Sequence, residues 1–267
     1  MDKIFKNIQQ IAVQIQNDIF KNYDNFQTIQ QSLQHCNTII KDNLKDAIQS
    51  IVGIEDKVMN TLDENSDYII TYVSIDTPKL LDSNFSLGSI FAIYDKDIEA
   101  TNLKAVVYIT YGPTFQLVYA TKENGVKYYN YEDNHFMEQG LLKLDNKGKI
   151  NSTAGDRTTW SEQHKADMQY FFDNGYRLRF SNSLCLDMHQ ILFKKGGIYS
   201  SPLTTKDPKG LINLVFEAYP ISFVVELANG KAIDGTIDIL NKQYTSLEDK
   251  TAFYFGSEYE LRYILNY

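Results

Sequence analysis

Residues 69–94, with the sequence IITYVSIDTPKLLDSNFSLGSIFAIY, decide the fold class of this chain. Residues 69–75 are β-branched and aromatic, a polar turn follows at residues 76–79, and residues 86–94 are again largely apolar. This order predicts a strand, an acidic loop and a second strand, with Asp76 at the carboxyl end of the first strand. A loop in that position commonly holds a hard cation against a phosphate group.

The segment that follows continues the strand pattern. Apolar runs at residues 105–111, 114–120 and 126–131 are separated by turn signals, which are Gly112-Pro113 and Asn124-Gly125. Such turns join neighbouring antiparallel strands, so this part of the chain is predicted to form an antiparallel meander.

The segment that precedes it has helical character. The first 52 residues contain neither glycine nor proline, and their isoleucines recur at helical spacing. One stripe consists of Ile4, Ile8, Ile11, Ile15 and Ile19, and a second of Phe26, Ile29, Leu33, Cys36 and Ile40, followed by Leu44, Ile48 and Ile51. We predict two or three amphipathic helices packed against the chain's own sheet, with a partner-binding helix as the alternative.

The carboxyl-terminal half alternates helices and strands. We predict a helix over residues 161–174 that ends at Gly175, a strand over 176–180, and a helix capped by Ser183 that continues to residue 192. Further strands are expected at 197–200 and 214–218, and a further helix at 220–228. The best candidate boundary follows Asn146, which gives an amino-terminal part of residues 1–146 and a carboxyl-terminal part of residues 147–267.

Composition excludes several classes of function. The 267 residues carry a net charge of −8, and Lys and Arg are scattered, so neither a nucleic-acid-binding stripe nor a polybasic membrane-binding segment is present. The two cysteines lie far apart in sequence, as expected for reduced thiols. The first ten residues lack the apolar core of a signal peptide, so we expect a cytoplasmic protein.

Several motifs in this order resemble the class I fructose-1,6-bisphosphatases. That family's loop reads Asp-Pro-Leu-Asp-Gly-Ser/Thr, followed by a further Asp and a Gly-x-Ile-x-Gly/Ala-x-Tyr strand. Asp82 and residues 88–94 fit this pattern, whereas the loop at residues 73–79 keeps only the second of its two aspartates. Residues 196–199, 216–220 and 226–232 resemble the family's later motifs.

The resemblance implies an α/β (α+β) fold of the layered α-β-α-β-α sugar-phosphatase type. Amino-terminal helices, a mostly antiparallel central sheet and a smaller mixed carboxyl-terminal sheet belong to that fold. The family's members are cytoplasmic oligomers that use Mg²⁺ to remove the 1-phosphate of the sugar.

Carried over residue by residue, the resemblance implies a damaged site. The remaining metal shell would be the Ile75 carbonyl, Asp76 and Glu217, and the catalytic remnants would be Glu55 and Asp76. The substrate-binding remnants would be Thr77, Arg179 and Ser183. Family side chains are lost at Ile54, Val73, Ser201, Leu211 and Asn213.

These losses predict a catalytically degenerate protein, a pseudoenzyme that acts as a binding or regulatory subunit without a cofactor. Its expected partners are itself or an active paralogue, because the family arginine that matches Arg179 reaches into the neighbouring subunit's active site. A sugar phosphate would need cationic groups that this pocket has mostly lost. The alternative is an active Mg²⁺-dependent fructose-1,6-bisphosphate 1-phosphatase, or a related sugar phosphatase of gluconeogenesis, working with Asp76 and Glu217.

Overall fold

The structure is a computed structural model that describes residues 1–20 and 28–265. Phe26, which the sequence places in the second helical stripe, lies outside these residues. The chain divides into two compact units: unit 1 contains residues 1–122 and 127–140, and unit 2 contains residues 123–126 and 141–267. The boundary predicted after Asn146 falls inside unit 2.

Two helices open unit 1. Helix α1 spans Asp2–Ile15 and continues as a wider π-helical turn, Gln16–Phe20, and helix α2 spans Ile29–Leu44. The Thr28 side chain caps α2 by accepting a hydrogen bond from the Gln31 backbone N–H. The predicted helical stripe ends with α2, because Ile51 lies in a strand and Ile48 in the connection before it.

An eight-stranded sheet forms the rest of unit 1, with its last two strands extending into unit 2 at one end each. Its strands are β1 Ser50–Gly53, β2 Asn60–Thr61, β3 Tyr68–Val73, β4 Leu87–Asp95, β5 Leu103–Tyr111, β6 Phe115–Thr121, β7 Gly125–Glu132 and β8 His135–Leu141. The spatial order is β2-β1-β3-β4-β5-β6-β7-β8. Strands β3 to β6 pair antiparallel, which confirms that part of the predicted meander, and β1 pairs parallel to β3.

Alternation along the strands builds the core of unit 1. Tyr72, Phe91 and Val107 point to the sheet face on which Ile8 and Cys36 of the two helices pack, and all five residues are fully buried. Burial of these apolar surfaces is the main favourable contribution to folding. The helices are therefore packed on the chain's own sheet, as predicted.

A five-stranded mixed sheet lies at the centre of unit 2. The unit's strands are β9 Ile150–Thr153, β10 Arg177–Leu178, β11 Ile198–Ser201, β12 Ile212–Asn213, β13 Lys231–Ile233, β14 Lys250–Thr251 and β15 Phe253–Gly256. The order in the sheet is β10-β9-β11-β15-β13, and β12 pairs separately with β14. Strand β9 is parallel to β10 and β11, whereas β15 is antiparallel to β11 and β13.

Four helices complete unit 2: α3 Glu162–Asp173, α4 Leu184–Phe193, α5 Tyr219–Leu227 and α6 Glu258–Ile264. The first two begin where the sequence predicts. The Ser161 hydroxyl accepts a hydrogen bond from His164 N–H, and the Ser183 hydroxyl accepts one from Leu186 N–H. Gly175 follows α3 with φ of 81°, the left-handed conformation that ends many helices.

Two strand predictions in unit 2 are wrong in type or length. Residues 214–218 form a π-helical turn, Leu214–Ala218, because the Asn213 side chain caps its first backbone N–H groups. A short apolar run does not by itself distinguish a buried strand from a buried helical segment. The strand expected at 176–180 is only Arg177–Leu178, since Arg179 makes the last backbone bond to the neighbouring strand.

Candidate functional site

The loop after β3 is folded back onto β4. The Asp76 backbone N–H donates to the Gly88 carbonyl at 2.8 Å, and the Ser89 hydroxyl donates to the Ser74 carbonyl at 2.6 Å. Asp76 therefore stands at the carboxyl end of β3, where the sequence predicts it, and Ile75 beside it is buried.

The Asp76 carboxylate is buried within this loop, with 4% of the residue exposed. The Thr77 hydroxyl donates a hydrogen bond to Asp76 Oδ1 at 3.1 Å. A buried carboxylate requires such donors, because an unsatisfied charge costs several kcal/mol. Asp76 thus has a structural partner from the adjacent residue.

Glu55, the second candidate of unit 1, is held by the same loop. The Ser74 hydroxyl donates to Glu55 Oε1 at 2.5 Å. The residue as a whole is exposed, yet desolvation of its carboxyl group by the surrounding protein raises its pKa, and the nearby Asp56 charge contributes in the same direction. The structure therefore brings Glu55 to the β3 loop as a hydrogen-bonded side chain.

Ile54 and Val73, where the resemblance implies that family carboxylates are lost, have hydrocarbon side chains. Val73 is 3% exposed and pairs with Ile90 across β3 and β4, while the Ile54 backbone N–H donates to the Tyr72 carbonyl at 3.0 Å. Both residues are accommodated by ordinary sheet packing and backbone bonding. Neither side chain has an oxygen that could bind a cation.

The turn at residues 77–79 is a poor anion cradle. Thr77 adopts a left-handed conformation with φ of 52°, and Pro78, which lacks an N–H group, begins a short 3₁₀ helix, Pro78–Ser83. The backbone N–H of Leu80 donates to the Thr77 carbonyl at 3.0 Å, so it serves the turn itself. Lys79 is exposed.

Glu217, the remnant carboxylate of unit 2, forms a reciprocal cap with Asn213. The Asn213 backbone N–H donates to Glu217 Oε2 at 2.7 Å, while Asn213 Oδ1 accepts from the N–H groups of Val215 and Phe216 at 3.0 Å each. Asn213 Nδ2 donates to the Leu247 carbonyl at 2.8 Å. This arrangement is similar to a capping box, in which the side chains at the two ends of one turn accept hydrogen bonds from each other's backbone N–H groups.

The other candidates of unit 2 have separate environments. Arg179 is exposed, and Ser183 is fully buried as the cap of α4. Ser201 is 1% exposed and its hydroxyl has no hydrogen-bond partner among the described residues, whereas Leu211 is 41% exposed. The structure thus gives Ser183 a structural role and leaves Arg179 available on the surface of its unit.

Comparisons with known proteins agree with this architecture. Residues 144–267 match the family model described as the fructose-1-6-bisphosphatase C-terminal domain. A curated protein of Campylobacter hominis, named fructose-1,6-bisphosphatase class 1, is 37% identical over 98% of this chain and 97% of its own length. The chain belongs to the class 1 fructose-1,6-bisphosphatase family.

Two further proteins named fructose-1,6-bisphosphatase are similar to this chain, one in sequence and one in structure. A Helicobacter hepaticus protein with the same name is 40% identical over 79% of the chain and 75% of its own length. The crystal structure of Leishmania major fructose-1,6-bisphosphatase in holo form superimposes with a TM-score of 0.92, over 99% of this chain and 92% of that one, at 23% identity. This last likeness supports the predicted two-sheet α+β fold.

The side chains of this fructose-1,6-bisphosphatase family member do not fit the metal shell that the resemblance implies. The resemblance places Ile54 and Val73 at two of its carboxylate positions, and hydrocarbon cannot bind a hard cation such as Mg²⁺. The remaining Asp76 and Glu217 accept hydrogen bonds inside their own segments. The residues that the structure describes contain no group of three or more His, Cys, Asp or Glu side chains placed to hold a metal ion.

Sequence reasoning missed two features of unit 2. It treated Asn213 only as a lost family position, although an Asn before a helical turn is itself a capping signal. It also missed that Lys149, Arg177 and Lys194 lie with Arg179 around one groove of unit 2. The signal available was the two-residue spacing of Arg177 and Arg179, which places both on the same side of a strand.

Proposed function

We propose that this chain is a catalytically degenerate member of its family, a pseudoenzyme that acts as a binding or regulatory subunit. The main support for the proposal is the small number of side-chain oxygens that could bind a metal ion. Removal of a phosphate by Mg²⁺ needs oxygens that hold the cations, and two of those positions are the hydrocarbon side chains of Ile54 and Val73. Asp76 and Glu217 are engaged in local hydrogen bonds instead.

The second candidate is an active Mg²⁺-dependent fructose-1,6-bisphosphate 1-phosphatase or a related sugar phosphatase. The names of the relatives support this candidate better than the first. Both curated relatives described above are named fructose-1,6-bisphosphatase class 1, and neither name indicates a non-catalytic protein. In this case the surviving carboxylates that the resemblance assigns to the reaction would be Asp76 and Glu217.

Phosphate release from fructose 1,6-bisphosphate separates the two candidates. The purified chain is assayed with and without Mg²⁺, beside the Campylobacter hominis relative as the positive control. We expect turnover of this chain to be at least about a thousandfold below ~1 s⁻¹, the lower end of the common enzyme range. Turnover near 1 s⁻¹ that requires Mg²⁺ would establish the second candidate.

A thermal melt with and without Mg²⁺ tests directly whether this chain binds the metal ion. A ligand that binds only the folded state raises the melting temperature, so the Campylobacter relative should be stabilised if it binds Mg²⁺ in its folded state. We expect the melting temperature of this chain to be unchanged by Mg²⁺. A saturable increase would contradict the pseudoenzyme proposal even if no activity were detected.

Partners and location are part of the same proposal. A regulatory subunit needs a partner, and we propose a second copy of this chain or an active paralogue, met through the exposed segment that contains Arg179. Light scattering measures the molar mass of the chain alone and after mixing with a paralogue, and so detects either association. We also keep the cytoplasmic location as a prediction; among the described residues no helix is long and apolar enough to cross a membrane.

A further inference from the structure

A groove on unit 1 lies between helix α1 and the tip of the hairpin that β7 and β8 form. It has a volume of about 700 Å³, which is within the range of sites that bind small molecules. Carboxamide and aromatic side chains make up most of its lining, and none of the described residues that line it is acidic. The carboxamides and aromatics are Gln9, Gln10, Gln14, Asn134, Tyr131 and Phe136. We call this feature the amide groove.

The hairpin presents its aromatic side chains in a fixed arrangement. Asp133 and Asn134 both have a left-handed backbone, with φ of 48° and 65°, as the tightest hairpin turns require. The rings of Tyr131 and Phe136 lie 5.1 Å apart, and each lies 5.1 Å from the ring of Phe115. This packing orients the two aromatic side chains of the groove before any ligand binds, so a ligand need not order them.

The carboxamides of the groove have unused hydrogen-bonding groups. The side chains of Gln9, Gln10 and Asn134 make no hydrogen bond with any other residue that the structure describes. Gln14 Oε1 accepts a hydrogen bond from Asn43 Nδ2 at 2.9 Å, so only its oxygen is engaged. Each carboxamide carries a carbonyl acceptor and an N–H donor side by side. The groove therefore offers several pairs of a donor and an acceptor beside two aromatic rings.

These features suit a neutral ligand that is rich in hydroxyl groups. A hydroxyl group both donates and accepts, so two neighbouring hydroxyls can form paired hydrogen bonds with one carboxamide. The C–H faces of a sugar ring are apolar, and their burial against aromatic rings is favourable. An anion fits less well, because Lys6 is the one Lys or Arg among the described lining residues, and Glu132 and Asp133 are exposed on the adjoining hairpin.

We propose that the amide groove binds a short neutral oligosaccharide. Tyr131 and Phe136 pack against the sugar rings, and Gln9, Gln10 and Asn134 bind the hydroxyl groups. The proposal is independent of whether the chain is catalytic, because none of the carboxylates considered for the candidate site lines this groove.

Isothermal titration of the full chain with maltotriose and with cellotriose tests this proposal. We expect at least one trisaccharide to bind saturably at one site per chain, with a Kd of about 1 mM or lower. The affinity should not change with salt, since no ion pair forms. N-acetyl-trialanine amide tests the alternative class of ligand, because carboxamides also bind peptide groups. We expect no saturable binding of this peptide up to about 10 mM.

Two variants of the groove and one matched control locate the site. Gln10→Ala should weaken trisaccharide binding about fivefold, as expected for the loss of one or two neutral hydrogen bonds. Tyr131→Leu removes the ring and should weaken binding at least about tenfold. Gln34→Ala is the control, because Gln34 is also exposed on a helix of unit 1 but lies outside the groove, and this variant should bind within about twofold of the wild type.

Three results would overturn the proposal. They are the absence of saturable binding of either trisaccharide up to about 10 mM, binding of the peptide that is as tight as that of the trisaccharides, and equal weakening by Gln34→Ala and Gln10→Ala. If Tyr131→Leu melts at a lower temperature, the Gln10→Ala result decides, because Gln10 is exposed and its side chain has no hydrogen bond to lose among the described residues.

Discussion

Replacing Asn213 with alanine tests whether a lost site residue has become a structural one. The Asn213 amide makes three hydrogen bonds, to the backbone N–H groups of Val215 and Phe216 and to the carbonyl of Leu247. Alanine removes all three. The backbone N–H of residue 213 can still donate to Glu217, so the effect isolates the side chain.

The expected loss follows from these contacts. Removing a capping Asn costs about 1 kcal/mol, within a range of about 0.5–2 kcal/mol. The bond to Leu247 adds about 1 kcal/mol, because Asn213 is 4% exposed and water cannot easily replace the missing donor. We therefore expect Asn213→Ala to lower the free energy of unfolding by about 2–3 kcal/mol.

Urea unfolding followed by far-UV circular dichroism measures this loss. The midpoint should fall while the slope is unchanged, which identifies a change in stability. Asn213→Ser keeps a capping oxygen but not the bond to Leu247, so its loss should be about half as large. Leu211→Ala is the control, because Leu211 is exposed and should contribute less than about 0.5 kcal/mol. A loss below about 0.5 kcal/mol for Asn213→Ala would refute the capping role.

Three further predictions concern metal binding, pH and backbone packing. The double variant with Ile54→Glu and Val73→Asp should melt below the wild type in EDTA, because Val73 is 3% exposed, and only the variant should be stabilised by added Mg²⁺. Burial lowers the pKa of His164 to about 4 from 6.5. His164 therefore contributes up to about 3 kcal/mol to the free energy of unfolding, and this contribution is present above pH 6.5 and lost as the pH falls toward 4. In the variant His164→Gln, the urea midpoint should fall less than that of the wild type over this pH range. Gly148→Ala should lower the urea midpoint by about 3 kcal/mol or more, since a Cβ there would lie 1.9 Å from the backbone of Gly196 and Gly197; a near-normal midpoint would contradict this packing.

Most of the fold could be predicted from the sequence, because its patterns are strong and local. The isoleucine stripe of α1 has one clear helical period, β4 and β5 are apolar runs next to turn signals, and Ser161 and Ser183 carry recognisable capping signals. Strand β1 was missed because its four residues follow a helical stripe without a break in hydrophobicity. The turn at residues 214–218 was misassigned because its apolar side chains fit a buried strand equally well.

The candidate site was predictable in composition but not in geometry. The hydrocarbon at Ile54 and Val73 is visible in the sequence, as is the survival of Asp76 and Glu217. The sequence does not show that Thr77 donates to Asp76, or that Asn213 binds Glu217. Side-chain hydrogen bonds depend on loop conformation, which hydrophobic periodicity does not encode. The absence of Mg²⁺ binding is therefore a prediction that the thermal melt tests.

The conformation of Thr77 has a consequence for how this loop is held. Its backbone is left-handed with φ of 52°, although a β-branched side chain makes that shape unfavourable by about 1–2 kcal/mol. Glycine adopts this shape without steric cost. The loop therefore contains a strained residue between two paired strands. We infer that the pairing of β3 with β4, rather than the turn's own preference, sets the course of the chain at this point.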